Sequence, residues 1–403
     1  MDAFQRDIVT IVYSALTGTE GNVSEAFDLE KGINLARRHN IVAIFYEGAL
    51  LCGVSADNPL LVTLKDTLLK NLILDTKQQN MIHTLTEAFE QKNIDYMPMK
   101  GVLLKPLYPK TDMRTMGDAD ILVKLEQYPQ ITEVLKELEF EFQFESEHEL
   151  AWSNQFLLLE LHKSVIAAHD KDLRKYFGTG WALAEKAPGT NSRYEFKPED
   201  FYVYIFAHFT KHYRTYGIGI KHMLDLWIYK GAYPQMDWQY IAGALKQLNL
   251  SEFHQNVTKT LAVWFENAAP NDITMLITDV VFTSGQYGTA ARANMNRMVR
   301  ETKQTGALWK SKVKNVFLAL FLSYAQMKMM YPILAKAPVL LPFVWIHRWI
   351  EVVFFKRTNM RRYIHNMKTA NKTAVNEHQD ALQRVGLDFN FEEKRYEGTR
   401  NWS

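Results

Sequence analysis

The chain has 403 residues, of which 47% are hydrophobic and 23% charged, and its formal net charge is +2. This length exceeds one ordinary hydrophobic core, so two or three domains of globular composition are expected. The nearly balanced charge gives no strong signal for nucleic-acid binding. The single cysteine, Cys52, excludes an intrachain disulfide framework and favours a reducing, cytoplasmic setting.

Neither a secretory signal nor a membrane span is predicted. Residues 1–16 lack a basic region followed by an apolar one. The longest apolar run, 339–346, is interrupted by Pro342 and falls short of the roughly 18–20 residues that a span needs. Trp345, Trp349 and Phe354 in the stretch 339–355 allow weak contact with a membrane surface, and a buried helix explains the same residues.

In chain order, apolar residues at helical spacing predict helices over 1–92, with a helix start at 57–59 and a last helix at 78–92. Residues 93–198 mix strands at 94–99, 140–144 and 156–165 with a helix at 128–138. The alternation in 140–144 predicts a half-buried strand. Helices return over 199–366, and a polar tail fills 367–403. The pattern predicts an α+β fold, with a small mixed sheet between N-terminal and C-terminal helical segments.

Asp118 and Asp120 open a predicted strand. Side chains at i and i+2 of a strand point to one face, roughly 6–7 Å apart. Two ionised carboxylates so placed repel each other, and hard oxygen ligands suit Mg²⁺. The pair is therefore predicted to bind magnesium. The alternative is a solvent-facing turn before the strand, since Gly117-Asp118 is turn-prone.

Glu160 lies about forty residues further on, inside a leucine-rich predicted strand. A glutamate there is costly to bury without a partner, and a third acid can hold a metal ion and accept a proton from an attacking hydroxyl. Pairing with Lys163 is the alternative. His162 shares the face of Glu160, either as a substrate contact or as a structural histidine.

Three residues upstream of the aspartates are candidates for binding phosphate. Gly101 would let the backbone approach a phosphate, and Lys100 would add a positive charge. Arg114 would orient Asp118 or bind a phosphate through two hydrogen bonds, or it is an exposed loop residue.

The helical region after residue 199 carries a polar face. His208, Lys211 and His212 share one face of a predicted helix, and Lys221 and Asp225 lie one turn apart. Although His208 and His212 have the spacing of zinc ligands, neither a glutamate at the required position nor a cysteine accompanies them. We interpret His208 and Asp225 as candidate substrate contacts across a cleft, or as part of an ordinary solvated face.

The stretches MKGVLLKPLYPKTDMRTMGDADILV, LLLELHKSV and IKHMLDLWIY together resemble the uncharacterised nucleotidyltransferase family of bacterial proteins, within the polymerase-β-like superfamily. The resemblance covers about 94–230. Lys100-Gly101 stands where the wider superfamily has Gly-Ser, so the hydroxyl contact to phosphate is absent.

The resemblance implies that Asp118, Asp120 and Glu160 hold two Mg²⁺ ions, that Lys100-Gly101 binds the nucleotide phosphates, and that Lys221 supplies a further cation to them. It implies transfer of a nucleoside monophosphate from NTP to a small-molecule or sugar-related acceptor, with release of pyrophosphate. The alternative from another class is a catalytically silent scaffold that binds a nucleotide or a protein.

Overall fold

A computed structural model describes residues 1–167, 170–286, 288–289, 292–293, 295–296, 299, 317, 320–354 and 372–387. The chain divides into two compact units. The first comprises Met1–Tyr213 and Gly217–Gly288, and the second comprises Arg214–Tyr216 and Thr289–Ser403. The predicted segments 1–92, 93–198, 199–366 and 367–403 remain predictions.

The first unit is built from one mixed sheet, one hairpin and many helices, which confirms the predicted α+β class. Its helices are α1 (Ala3–Thr17), α2 (Leu29–His39), α3 (Val42–Leu51), α4 (Pro59–Val62), α5 (Lys65–Gln91), α6 (Gly101–Leu104), α7 (Tyr128–Glu137), α8 (Lys171–Phe177), α9 (Pro198–Thr215), α10 (Ile220–Ala232), α11 (Trp238–Gln247), α12 (Ser251–Phe265) and α13 (Asp272–Ser284). Its strands are β1 (Tyr96–Pro98), β2 (Asp118–Val123), β3 (Glu141–Glu145), β4 (Glu149–Ser153), β5 (Leu158–His162), β6 (Ala184–Lys186) and β7 (Tyr194–Phe196).

The helix start predicted at 57–59 is present, because Asn58 caps α4 and Pro59 occupies its first turn. Helix α5 then runs without a break for 27 residues and delivers the chain into β1. The region 93–198 also contains two strands that were not among the predicted elements, β6 and β7, which pair as an antiparallel hairpin.

The five-stranded sheet has the order β1-β2-β5-β4-β3. Strands β2 and β5 are parallel, whereas the other neighbours are antiparallel. One face of the sheet is apolar, and its Ile121, Leu159 and Leu161 pack against α5 and α7 side chains in a buried cluster. The opposite face carries polar side chains, because residues on a strand alternate between faces.

The prediction of a half-buried strand at 140–144 is wrong in its burial. All five residues of β3 are exposed, including Phe142 and Phe144. Strand β3 is one of the two edge strands, none of its residues belongs to the buried cluster, and its Phe142 ring contacts Trp152 on β4 edge to face. Strand β4 itself has no counterpart among the predicted elements.

The second unit has described helices at Tyr324–Met330, Ile333–Lys336, Leu341–Phe354 and Lys372–Arg384. Within the predicted helical region 199–366, Phe317 and Leu320 are helical, and residues 315–316 and 318–319 lie outside the described part. Residues 355–366 of the predicted helical region, and most of the polar tail, also lie outside it. Among the described residues, no helix combines the length and apolarity that crossing a membrane requires.

His39 joins three helices of the first unit. It is fully buried, its Nε2 donates to the carbonyl of Phe282 at 3.2 Å, and its Nδ1 accepts from the amide of Ile220 at 3.2 Å. Only a neutral imidazole can donate a hydrogen bond from one ring nitrogen and accept one at the other. Burial, with a smaller contribution from the charge of Arg38, lowers the pKa of His39 to about 4.

We expect the folded state to lose stability as the pH falls from about 6.5 towards 4. Between about pH 4 and 6.5, His39 binds a proton in the unfolded chain but not in the folded chain. The free energy of unfolding therefore increases with pH over this range. The lowered pKa, about 4 against 6.5, corresponds to roughly 3 kcal/mol. Urea denaturation of the wild type and of His39→Gln between pH 4 and 7 should give a shallower pH slope for the variant. Equal slopes would contradict the assignment.

Candidate functional site

The parallel pairing of β2 with β5 brings the predicted acidic residues together. Asp120 lies opposite Glu160, and Asp118 lies opposite Leu158. Directly paired residues share one face of a sheet, so Asp118, Asp120 and Glu160 are on the polar face, away from the buried leucines. Asp120 and Glu160 are themselves almost entirely buried.

Asp120 has two hydrogen-bonding neighbours, a lysine and a histidine. The Nζ atom of Lys100, at the end of β1, donates to its carboxylate at 2.5 Å, and His162 Nε2 lies 2.7 Å from the same oxygen. Burial alone would raise the pKa of Asp120, but Lys100 and His162 together hold it well below its usual range. Asp120 is therefore ionised, and both Lys100 and His162 contact its Oδ1 atom.

Glu160 lies in a more negative environment. Burial, followed by the charges of Asp118, Asp120 and Glu149, raises the pKa of Glu160 to about 8. Lys163, the partner considered in the sequence, instead binds Glu145 on β3 and the carbonyl of Ser146. Lys163 is thus not the ion-pair partner of this glutamate.

Lys100 has an unusual backbone conformation, with φ of +40° and ψ of −111°. A side chain other than glycine is strained there, at a cost of roughly 1–3 kcal/mol. The next residue is under a different constraint. A Cβ atom on Gly101 would lie 3.0 Å from Nη1 of Arg114 and 3.1 Å from the Met116 side chain, so glycine permits close packing of the turn against the loop before β2.

Arg114 is buried and not an exposed loop residue. It binds Asp225 on α10 through two hydrogen bonds, Nε to Oδ1 at 2.7 Å and Nη2 to Oδ2 at 2.9 Å. The Tyr108 hydroxyl also donates to Oδ1 at 2.8 Å. The carboxylate oxygens of Asp225 are therefore occupied by groups of this chain, and the pair ties α10 to the loop that precedes β2.

A second buried ion pair holds the same loop from the other side. Lys105 Nζ lies 2.6 Å from Asp75 on α5 and donates to the carbonyl of Arg114 at 2.6 Å. Thr111 donates to the other oxygen of Asp75 at 2.6 Å. Charged side chains from two distant helices thus hold the loop that leads to Asp118. Burying such ion pairs costs desolvation free energy, which only good hydrogen-bond geometry repays.

Lys221 and His208 both lie near these groups, and desolvation lowers the pKa of each. Burial, reinforced by Arg114, lowers the pKa of Lys221 to about 8, and Asp118 is among its charged neighbours. Its Nζ points towards the carbonyl of Thr115 at 3.4 Å. Burial also holds the pKa of His208 well below its usual value, with His212 and Lys100 contributing. Lys221 is therefore not on a solvated helix face. The His208 side chain is partly exposed, and its role as a substrate contact stays a prediction.

The structure adds Tyr204, which the sequence reasoning missed. Its side chain is buried, its neighbours include the charges of Lys100 and Asp120, and burial raises its pKa to about 12. Within the described part of the chain, its hydroxyl has no hydrogen-bond partner. Tyr204 precedes His208 by one helical turn, so extending the helical face of His208 and His212 by four residues would have included it.

The donor set fits a divalent cation. Ligand atoms of Asp120, Glu160 and His162 lie within 4.8 Å of one another. Burial first, and then repulsion from the neighbouring carboxylates, raises the pKa of Glu160, and a cation would stabilise the ionised form. Carboxylate oxygens are the ligands that magnesium prefers, and a histidine nitrogen widens the choice to manganese or zinc.

Comparison with known proteins decides the family. A family model described as "Uncharacterised nucleotidyltransferase" matches residues 25–266, more than half of the chain. The chain belongs to this family. This confirms the resemblance drawn from the motifs, and the protein is a nucleotidyltransferase.

Other comparisons add little detail to this nucleotidyltransferase. No curated protein matches the chain. The solution structure of the antibiotic-resistance factor ANT(2'')-Ia is similar over 46% of this chain and 95% of that one, with 13% identity and a TM-score of 0.32.

Proposed function

We propose that this nucleotidyltransferase transfers a nucleoside monophosphate from NTP to a small-molecule or sugar-related acceptor, releasing pyrophosphate, and that it depends on two Mg²⁺ ions. In this proposal the five-stranded sheet is the nucleotidyltransferase core. The observation that carries it is the register of β2 and β5, which puts Asp120 opposite Glu160 on the polar face, with Asp118 on the same side. A cytoplasmic location and the absence of a nucleic-acid substrate stay predictions.

Asp118, Asp120 and Glu160 would hold the metal. Magnesium bound there supplies charge neutralisation at the phosphates and at the transferring phosphorus. Glu160 would also accept the proton of the acceptor hydroxyl, because its carboxylate belongs to the same buried group.

The nucleotide phosphates would be bound by Lys100, Gly101, Arg114 and Lys221. Lys100 neutralises Asp120 in the present structure, and a bound cation would release its ammonium group for the triphosphate. Lys221 would supply the second positive charge, its pKa rising when an anion approaches. Arg114 would contribute its positive charge near the phosphates while it stays paired with Asp225. Gly101 would let the backbone approach the phosphates. His162, His208 and Asp225 stay candidate substrate contacts.

The test is a screen of the four NTPs against acceptor pools, with magnesium, read out as pyrophosphate release. We expect one NTP and acceptor pair to release pyrophosphate and to stop when a chelator removes the metal. A catalytically silent scaffold would instead bind NTP in isothermal titration and release no pyrophosphate with any acceptor.

Tyr204→Phe separates a substrate role of the hydroxyl from a structural one. Removing a buried hydroxyl without a partner should leave stability unchanged or raise it by about 1 kcal/mol. Activity should fall at least about tenfold, through KM for NTP, because the hydroxyl adjoins Lys100 and Asp120. Steady-state kinetics and urea denaturation measure the two effects.

Tyr202→Phe is the matched control on the same helix. The Tyr202 hydroxyl lies 2.9 Å from His254 Nε2, away from Asp120. This variant should lose about 1 kcal/mol of stability and keep its activity. Unchanged KM and kcat in Tyr204→Phe would remove Tyr204 from the site.

Membrane-surface contact through 339–355 involves side chains other than the tryptophans. Trp345 and Trp349 donate through Nε1 to the carbonyls of Leu322 and Leu320 and pack on Phe321. Phe355 and the Phe354 side chain lie outside the described part. The exposed apolar residues of this stretch are Val339, Phe343, Ile346 and Ile350.

If this apolar face contacts lipid, the wild type should float with liposomes of anionic composition and Phe343→Ser with Ile346→Ser should not. Lipid contact buries apolar area, so the double variant loses the attraction and keeps the surrounding fold. Val62→Ser, at an exposed position of the first unit, is the control and should float like the wild type. Equal flotation of all three proteins would exclude the contact.

A further inference from the structure

A second group of side chains that can bind a metal lies beside the carboxylates of β2 and β5. It is on the same face of the sheet, where β5 borders β4. Glu149 on β4 pairs directly with His162 on β5, so both side chains lie on the polar face. His148, in the turn before β4, joins them, and ligand atoms of His148, Glu149 and His162 lie within 4.8 Å of one another. The function proposed above uses neither His148 nor Glu149.

His162 is prepared to bind a cation through one particular nitrogen. It is 3% exposed, and its Nε2 is taken by the ionised Asp120. Its Nδ1 is buried and has no hydrogen-bond partner among the residues that the structure describes. A neutral imidazole that donates from Nε2 keeps a lone pair on Nδ1. Histidines that bind metals usually donate their other ring nitrogen to a carboxylate in this way.

Glu149 and His148 supply the remaining donors at suitable distances. Ligands bound about 2.0–2.1 Å from a tetrahedral zinc ion lie about 3.3 Å from each other. His148 Nε2 and Glu149 Oε2 are 3.2 Å apart. Glu149 is almost fully buried, and its charge is one of the causes that raise the pKa of Glu160. A cation between these side chains would compensate a buried negative charge.

We propose that His148, Glu149 and His162 form a site for a divalent transition-metal ion, separate from the magnesium site of the carboxylates. Two nitrogen donors and one oxygen donor favour zinc, cobalt or manganese over magnesium, which prefers oxygen ligands. The ion joins the turn before β4 to β5 and orients His162, whose other nitrogen binds Asp120. Its role is therefore to position an acidic residue of the neighbouring site.

Equilibrium dialysis of the metal-stripped full chain with zinc chloride, in a large excess of magnesium, tests the site. The wild type should retain one zinc ion per chain. His148→Ala and Glu149→Gln should each weaken zinc binding at least about tenfold, the smallest loss that even an outer-shell partner causes. Asp118→Asn should retain the zinc ion, because Asp118 belongs only to the magnesium site.

Two further measurements test whether the metal ion binds at His148, Glu149 and His162. His83→Ala, at an exposed histidine outside the site, should bind zinc like the wild type. Cobalt bound to the wild type should show visible absorption bands that change in Glu149→Gln, and circular dichroism establishes that each variant is folded. Three results would overturn the site: no zinc retained by the wild type under excess magnesium, equal retention in both site variants, or loss of zinc in Asp118→Asn.

Discussion

Replacing Asp118 and Asp120 together with asparagine is expected to abolish nucleotidyl transfer while the fold survives. Asparagine keeps the size of each side chain and removes the negative charges that would hold magnesium. The rate of pyrophosphate release should fall at least roughly 10³-fold, since both the metal and the charge stabilisation it supplies are lost. The rate is measured with the NTP and acceptor that the screen identifies.

The double variant has a stability effect of its own, because Lys100 loses the partner of a largely buried ammonium group. Asp118→Asn alone keeps that pair and should show most of the loss of activity with little change in unfolding. Asp66→Asn makes the same chemical change on the exposed side of α5 and should leave the rate unaffected. Turnover retained by the folded double variant would eliminate the mechanism.

Arg114→Ala is expected to destabilise the first unit by about 3–5 kcal/mol. The substitution leaves the buried carboxylate of Asp225 without the guanidinium that makes two hydrogen bonds to it, and breaking a buried pair by removing one partner carries this penalty. The free energy of unfolding in urea measures the effect.

Removing both charges should cost less than removing one. Arg114→Met combined with Asp225→Leu leaves no uncompensated charge, so a double-mutant cycle should show strong coupling. Arg193→Ala, which removes a half-exposed arginine 3.7 Å from Glu195, should change stability by no more than about 1 kcal/mol. A loss below 1 kcal/mol in Arg114→Ala would mean that Lys221, one turn from Asp225, replaces the guanidinium.

Period-two alternation explains why the acidic face could be predicted. Asp118 with Asp120, and Glu160 with His162, must share a face wherever their strands are placed, because this is a property of the extended backbone itself. The resemblance to the nucleotidyltransferase family could also be found from the sequence, because the residues of each motif lie close together in the chain. The family model that matches 25–266 confirms it.

Contacts between distant residues could not be predicted from such patterns. Arg114 and Asp225 are separated by 111 positions, so no periodicity relates them. Tyr204 gains its importance only from the proximity of Lys100 and Asp120 and from a hydroxyl without a partner in the described chain. Phe142 alternates like a half-buried residue and is exposed, because β3 lies at the edge of the sheet outside the buried cluster.

The sequence alone determined the family of this nucleotidyltransferase and the local pattern of the candidate site: carboxylates on one face of each strand, a lysine and a glycine before them, and helices around the sheet. Only the tertiary structure decided that β2 and β5 are neighbours with Asp120 opposite Glu160, that Lys100 and His162 converge on Asp120, and that His148 and Glu149 approach His162. Strand order and register arise from hydrogen bonds and packing between segments far apart in the chain, which local preferences do not encode.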